Sequence, residues 1–321
     1  MEAAGFLVET PLPTFDAFSA ALTPTKTHPL LNPSFSLNCN GRLLSLRQPV
    51  VMGILNVTPD SFYDGGRFDE SRQAQTDQVA KLLEQGAGII DVGGASSKPR
   101  AQPVSVQEEL DRVVPVVEVL AKAHPTAFFS IDTYRSQVAK AAIEAGAHIV
   151  NDISSGKLDE AMFATVADLK VPYIGMHMQG TPATMQDAPT YEDVVQEVYG
   201  DLANTVHQLK SRGVIDIVLD PGFGFGKTLA HNFEMLARFS EFRFLNRPLL
   251  AGISRKSMIY KSLGTTAEHA LNGTTALHMA ALERGANILR VHDVKEAVET
   301  RDLYLSMEAQ NPQPLSPIPT L

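Results

Sequence analysis

Four times along this chain a glycine closes a helix-like stretch and an apolar, β-branched run follows at once. The four are Gly86-Ala-Gly-Ile-Ile-Asp-Val, Gly146-Ala-His-Ile-Val-Asn-Asp, Gly213-Val-Ile-Asp-Ile-Val-Leu-Asp and Gly285-Ala-Asn-Ile-Leu-Arg-Val-His. A glycine just past a helix end supplies the left-handed cap, and the run after it reads as the next strand. The glycines recur at intervals of 60, 67 and 72 residues, about twice the length of one strand-helix unit. Between them lie four more apolar runs, at 51–55, 128–131, 172–176 and 249–253, making eight strands. Helical patterns occupy 75–85, 105–123, 135–145, 159–169, 191–212, 233–239 and 273–284, and a last one covers 294–308. A doubly wound sheet would also alternate, but regular units with no break in composition favour closure. The chain is therefore expected to fold as an α/β protein, a (β/α)8 TIM barrel.

The barrel is expected to form a single domain over residues 35–309, opened by a β-hairpin at 35–48. There Asn40-Gly41 separates two short alternating runs, a strong hairpin signal. Residues 1–34 hold five of the twenty prolines and show no periodicity, so they read as a flexible extension, and 310–321 as a C-terminal tail. A net charge of −9 argues against a nucleic-acid partner. No apolar run approaches the roughly 20 residues that span a bilayer. The single cysteine, Cys39, excludes an intrachain disulfide and suits a reducing compartment. The opening MEAAGFLVETPLP lacks the basic residues of a secretory signal, so the expectation is a cytoplasmic protein without a membrane partner.

In such a barrel the C-terminal ends of all strands converge on one mouth. Those ends carry Asn56, Asp91, Asp132 with Thr133, Asn151 with Asp152, His177, Asp220, Ser254-Arg255-Lys256, and Arg290 with His292. Any one polar rim residue has a structural explanation; a polar group at every strand end points to a site. Asp132, Asn151 and Asp220 are suited to the donor-acceptor edge of a flat heterocycle. Lys256, Arg290, His292 and the loop residue Lys98 are donors for phosphate or carboxylate oxygens. Together they suggest a polar aromatic ring with an anionic tail. The glycine-rich PGFGFGKT at 221–228 is not a Walker loop, because the position of its first glycine is Pro221, nor a dinucleotide fingerprint, because the last is Lys227. It reads as a tightly turned loop fixed by Asp220, with Lys227 undecided. His177 is as compatible with a structural role as with a ligand contact.

The motifs VMGILNVTPDSF, DVGG with SS and KP, SIDT, NDIS, MHMQGTPATMQ, DPGFGFGKT, SRKS and RVHD, in this order, closely resemble the dihydropteroate synthase family, from about Phe35 to Tyr304. The resemblance implies condensation of 6-hydroxymethyl-7,8-dihydropterin diphosphate with 4-aminobenzoate, releasing pyrophosphate. It implies a pterin pocket of Asp132, Asn151, Asp220 and Lys256, with Asp132 and Lys256 catalytic. It implies Asn56 as ligand of Mg2+ and, with Arg290 and His292, as the pyrophosphate site. It assigns Phe62, Ser97, Pro99 and Ser257 to 4-aminobenzoate, and a homodimer to the family. The second loop departs from the common GGESTRPGA: here Ala95, Lys98 and Arg100 replace the carboxylate, the arginine fork and a glycine. Two other readings share the pocket, a methyltetrahydrofolate-corrinoid methyltransferase and a non-catalytic pterin-binding paralogue.

Overall fold

The structure, a computed structural model, describes residues 34–57, 68–95 and 104–310. It opens with the hairpin, β1 (Ser36–Cys39) and β2 (Arg42–Ser45), paired antiparallel. Asn40 and Gly41 both take positive φ, 54° and 83°, as a two-residue turn of this kind requires. Eight parallel strands follow: β3 (Val50–Asn56), β4 (Ile89–Gly93), β5 (Phe128–Asp132), β6 (Ile149–Asp152), β7 (Tyr173–Met176), β8 (Ile217–Asp220), β9 (Leu250–Ala251) and β10 (Ile288–Val291). They neighbour one another in chain order from β3 to β8, and β10 pairs with both β3 and β9. A parallel bridge from Leu219 to Leu249 and a bond from Leu219 N–H to the Pro248 carbonyl (2.9 Å) close the ring. The expected barrel is what forms.

The helices are α1 (Phe68–Glu84), α2 (Val106–Ala123), α3 (Ser136–Glu144), α4 (Met162–Leu169), α5 (Val194–Lys210), α6 (Leu229–Ala237), α7 (Ser257–Ser262), α8 (Leu271–Glu283) and α9 (Val294–Glu308). Among the expected helices two starts depart furthest from expectation. α1 starts at Phe68 rather than 75, and α6 starts at Leu229 rather than 233. The start of α6 is a capping box in which Thr228 accepts from the His231 N–H (3.2 Å) and the His231 ring accepts from the Thr228 N–H (3.3 Å). Histidine stands where Glu or Gln usually reaches back, which hides the signal in the sequence.

Strand residues alternate between two cores, as the period of two demands. Val51, Ile90, Val150, Leu219 and Leu289 face outward to helix residues such as Val117 and Leu202. Met52, Ile89, Ile149, Ile174, Val218, Leu250 and Ile288 face inward and pack on Leu37, Cys39, Leu44 and Leu46 of the hairpin. The hairpin therefore plugs the N-terminal end of the barrel. Arg42 fastens it there: one guanidinium nitrogen donates to the Pro125 (2.9 Å) and Ala127 (3.2 Å) carbonyls, the other to Thr126, and the group stacks 4.4 Å from the Phe128 ring centroid. Arg42→Ala is expected to cost about 1–3 kcal/mol of stability in urea denaturation.

Candidate active site

Two residues beyond the inward apolar layer, on the same strand faces, stand Asp91, Asn151, Asp220 and Arg290: the partners of Ile89, Ile149, Val218 and Ile288 one step toward the mouth. Asp132 lies at the end of β5, four residues from Phe128 and on its face. The period of two thus delivers these ionisable groups to the interior of the open end.

Arg290 joins them. Its Nε donates to Asp91 Oδ2 (2.7 Å) and its Nη2 to Asp132 Oδ2 (2.6 Å), while Asn151 Nδ2 donates to the same Asp91 oxygen (3.0 Å). Asp91 is fully buried, and among the described residues its Oδ1 has no partner. Burial works against the charge of Arg290, but Asp91 and Asp132 more than offset it and hold the guanidinium above the usual arginine value. Burial pushes Asp132 up to about 7 against the opposing pull of Arg290. Asp132 is thus an ion-paired carboxylate in a place that favours a proton whenever the arginine leaves.

The second half of the site is Asp220 and Lys256. Asp220 Oδ1 accepts the Gly222 N–H (2.7 Å), and burial raises its carboxyl against the pull of Lys256. Lys256 precedes α7; its Nζ donates to the Phe223 carbonyl and lies 4.7 Å from the Phe225 ring centroid. Burial lowers it to about 8, opposed by Asp220. A Cβ on Gly252 would stand 3.6 Å from Asp220 Oδ2 and 3.7 Å from Lys256 Nζ, so a bare backbone lies beside both groups. At the rim, Asn56 is exposed at the end of β3, and His292 is exposed with its Nδ1 3.1 Å from Ser254 Oγ. Ser257 opens α7.

Other rim residues turn out to be struts. Arg255 adopts a left-handed φ of 53°, which sends its guanidinium away to Asp293 (2.7 and 2.8 Å) and the Ala267 and Glu268 carbonyls. Asp152 accepts from the N–H groups of Ser154 (2.7 Å) and Gly156 (2.8 Å), the Ser154 hydroxyl (2.8 Å) and the Tyr173 hydroxyl (2.7 Å), so it holds a turn. His177 is buried, its Nδ1 2.9 Å from Lys227 Nζ. Phe62, Ser97, Lys98, Pro99 and Arg100 lie outside the described residues. Asp91 was placed on the rim by sequence but given no part; an aspartate within an otherwise apolar, fully buried strand is the signal that it anchors something.

A carboxylate-amide wall facing two cations suits a flat, hydrogen-bonding ring with an anionic tail. The model of a pterin binding enzyme family matches residues 52–292, which span every strand of the barrel beyond the first two residues of β3. The chain belongs to the pterin-binding enzyme family. Within that family it is similar to dihydropteroate synthase of Escherichia coli (strain K12), 46% identical over 265 residues, 82% of this chain and 93% of that one. Among solved structures it is similar to Xanthomonas albilineans dihydropteroate synthase with 4-aminobenzoic acid, with a TM-score of 0.80, 41% identity, and 86% and 99% of the two chains covered. The same enzyme in complex with 7,8-dihydropteroate gives a TM-score of 0.77 and 39% identity over 86% of this chain and 99% of that one. Among the described residues no helix is long and apolar enough to cross a membrane.

Proposed function

We propose that this member of the family is a dihydropteroate synthase: it condenses 6-hydroxymethyl-7,8-dihydropterin diphosphate with 4-aminobenzoate, giving 7,8-dihydropteroate and pyrophosphate. The observation that carries the reading is Arg290, held between Asp91 and Asp132 inside the mouth of a pterin-binding barrel. A site for pterin alone has no need of that cation, whereas a leaving diphosphate does. A relative whose structures hold 4-aminobenzoic acid in one case and 7,8-dihydropteroate in another supports the same reaction.

In this reading Asp220, Asn151 and Lys256 take the edge of the pterin, with Asp132 beside its reacting side. The C–O bond to diphosphate breaks as the aromatic amine forms a C–N bond to the methylene carbon, and the amine gives its surplus proton to solvent. Positive charge grows on the ring as the diphosphate departs. Arg290 and His292 turn to the departing anion, and the growing ring charge takes the place of the guanidinium beside Asp132, so the carboxyl stays ionised and stabilises that charge. Phe62, Ser97, Pro99 and Ser257 receive the aminobenzoate by the motif they belong to.

Mg2+ suits the rim. Among the described residues no three His, Cys, Asp or Glu side chains gather to form a metal cage. Asn56 offers one neutral amide oxygen at an exposed strand end, the donor set of an ion that keeps several waters and takes its other ligands from phosphate. Asn56 would hold Mg2+ there, and the ion would supply neutralising charge to the diphosphate. The apolar Leu303 and Met307 on α9, 63% and 53% exposed, support a homodimer, and the lone Cys39 supports a cytoplasmic setting.

The test is incubation of the protein with pterin diphosphate, 4-aminobenzoate and Mg2+. Dihydropteroate and pyrophosphate are expected in equal amounts. Pterin binding with no product at any aminobenzoate concentration would sink the reading in favour of a non-catalytic paralogue, and methyl transfer in its place would favour a corrinoid methyltransferase.

A further inference from the structure

The glycine-rich loop between β8 and α6 is fastened at each carbonyl from Gly222 to Gly226. Lys227 Nζ donates to the Gly222 and Phe225 carbonyls (both 3.0 Å), Lys256 to Phe223, Gln186 to Gly224 (2.7 Å) and the Tyr191 hydroxyl to Gly226 (2.8 Å). The loop also lies hard against the 177–179 backbone. A Cβ on Gly222 would fall 2.0 Å from the His177 carbonyl oxygen, and one on Gly226 2.5 Å from that of Gln179. Both glycines have positive φ, 74° and 63°.

Lys227 is the buried centre of this arrangement, 3% exposed. Three acceptors surround its nitrogen: the two carbonyls and His177 Nδ1 at 2.9 Å. An ammonium has three protons and no lone pair, so all three are used and none is left for a ligand. Burial draws the amine down to about 7, with Asp220 and Asp201 pulling up and Lys256 and Lys157 pulling down; the three acceptors within 3.0 Å are what favour the ammonium. A donor on Nδ1 fixes the neutral His177 ring with its proton on Nε2. Burial and then the lysine charge keep that ring from protonating, down to about 2.

The geometry points to Lys227 as a positioning residue: by fixing the 222–226 loop and the His177 tautomer, it sets where the Phe223 carbonyl and the Phe225 ring hold Lys256. Lys227 touches no substrate in this arrangement. Its effect reaches the pterin through Lys256, and to that extent the inference rests on the pterin pocket proposed above.

Two measurements test it. Long-range 1H–15N correlation on the wild-type protein should find His177 with Nε2 protonated and Nδ1 as acceptor; a proton on Nδ1 overturns the inference. Calorimetric titration with 6-hydroxymethylpterin should find Lys227→Met weakened roughly tenfold or more. In turnover the KM for pterin diphosphate should rise similarly, with the KM for 4-aminobenzoate changed less than about twofold. A merely structural lysine would lower melting temperature and the active fraction while leaving pterin affinity and both KM values alone, and that result overturns the proposal. The titration needs no turnover, so an inactive wild type that still binds pterin would count against the synthase reading only. If the wild type binds no pterin, the pocket assignment falls and the inference with it.

Discussion

Asp132→Asn is expected to lower kcat by roughly two to three orders of magnitude while raising the KM for pterin diphosphate less than about tenfold. The amide keeps the shape and one hydrogen-bond acceptor, so the ground-state contact largely survives. What is lost is the negative charge beside a ring that becomes positive as diphosphate leaves, and that charge matters most in the transition state. The same carboxyl sets a pH dependence. Burial has pushed it up to about 7, so it is ionised above that value and protonated below. Wild-type kcat/KM for the pterin substrate should therefore fall as pH drops through about 7, and Asp132→Asn should lack that acid limb. An unchanged kcat in the asparagine variant would refute the role given to Asp132.

Arg290→Met is expected to disable the enzyme and to cost about 3–5 kcal/mol of stability, because a buried pair that loses one partner leaves an uncompensated charge. Here the loss leaves two. Asp91 is 0% exposed and, among the described residues, its side chain has only Arg290 and Asn151 to satisfy it; Asp132 loses its 2.6 Å contact. For a domain of this size that cost corresponds to a fall of roughly 10 °C in melting temperature. The sign of its pH dependence follows. Without the guanidinium the Asp132 carboxyl loses the one charge that pulls it down against burial, so its native pKa stands further above its unfolded one, and native stability is retained at acid pH and lost as pH rises. The deficit against wild type should be small near pH 5 and widest above pH 7, by urea denaturation across that range. Adding Asp132→Asn to Arg290→Met should cost less than the sum of the single changes, with a coupling of about 1–3 kcal/mol, since the two side chains touch. Strict additivity would show that the ion pair contributes nothing.

Much of this was open to reading in the chain itself, for reasons of local physics. Asn40-Gly41 specifies a turn that few other pairs can make, and the hairpin follows. Glycines after helices and β-branched runs mark the strands, and the period of two places Asp91, Asn151, Asp220 and Arg290 on the inner face above Ile89, Ile149, Val218 and Ile288. What escaped depends on contacts distant in sequence. β9 has only two residues, so the barrel is sealed by pairing rather than by a run of strong β-formers. Arg255 and Lys256 are adjacent and both basic, yet one left-handed backbone angle turns Arg255 to Asp293 while Lys256 faces the site. Asp152 follows Asn151 and reads equally polar, but its neighbours Ser154, Gly156 and Tyr173 consume it. That Arg290 would sit on Asp91 and Asp132 rather than stand free for phosphate spans 199 and 158 residues of chain, and no local pattern encodes it.

The claim on which the account turns is substitution at the pterin methylene carbon, with diphosphate leaving intact. Pterin diphosphate carrying 18O in the oxygen that bridges carbon and phosphorus tests it in one turnover assay with 4-aminobenzoate and Mg2+. The account predicts that all of the label departs in pyrophosphate and that dihydropteroate forms in equal amount. Label retained on a hydroxymethylpterin product would mean that a P–O bond had broken instead, and would contradict it.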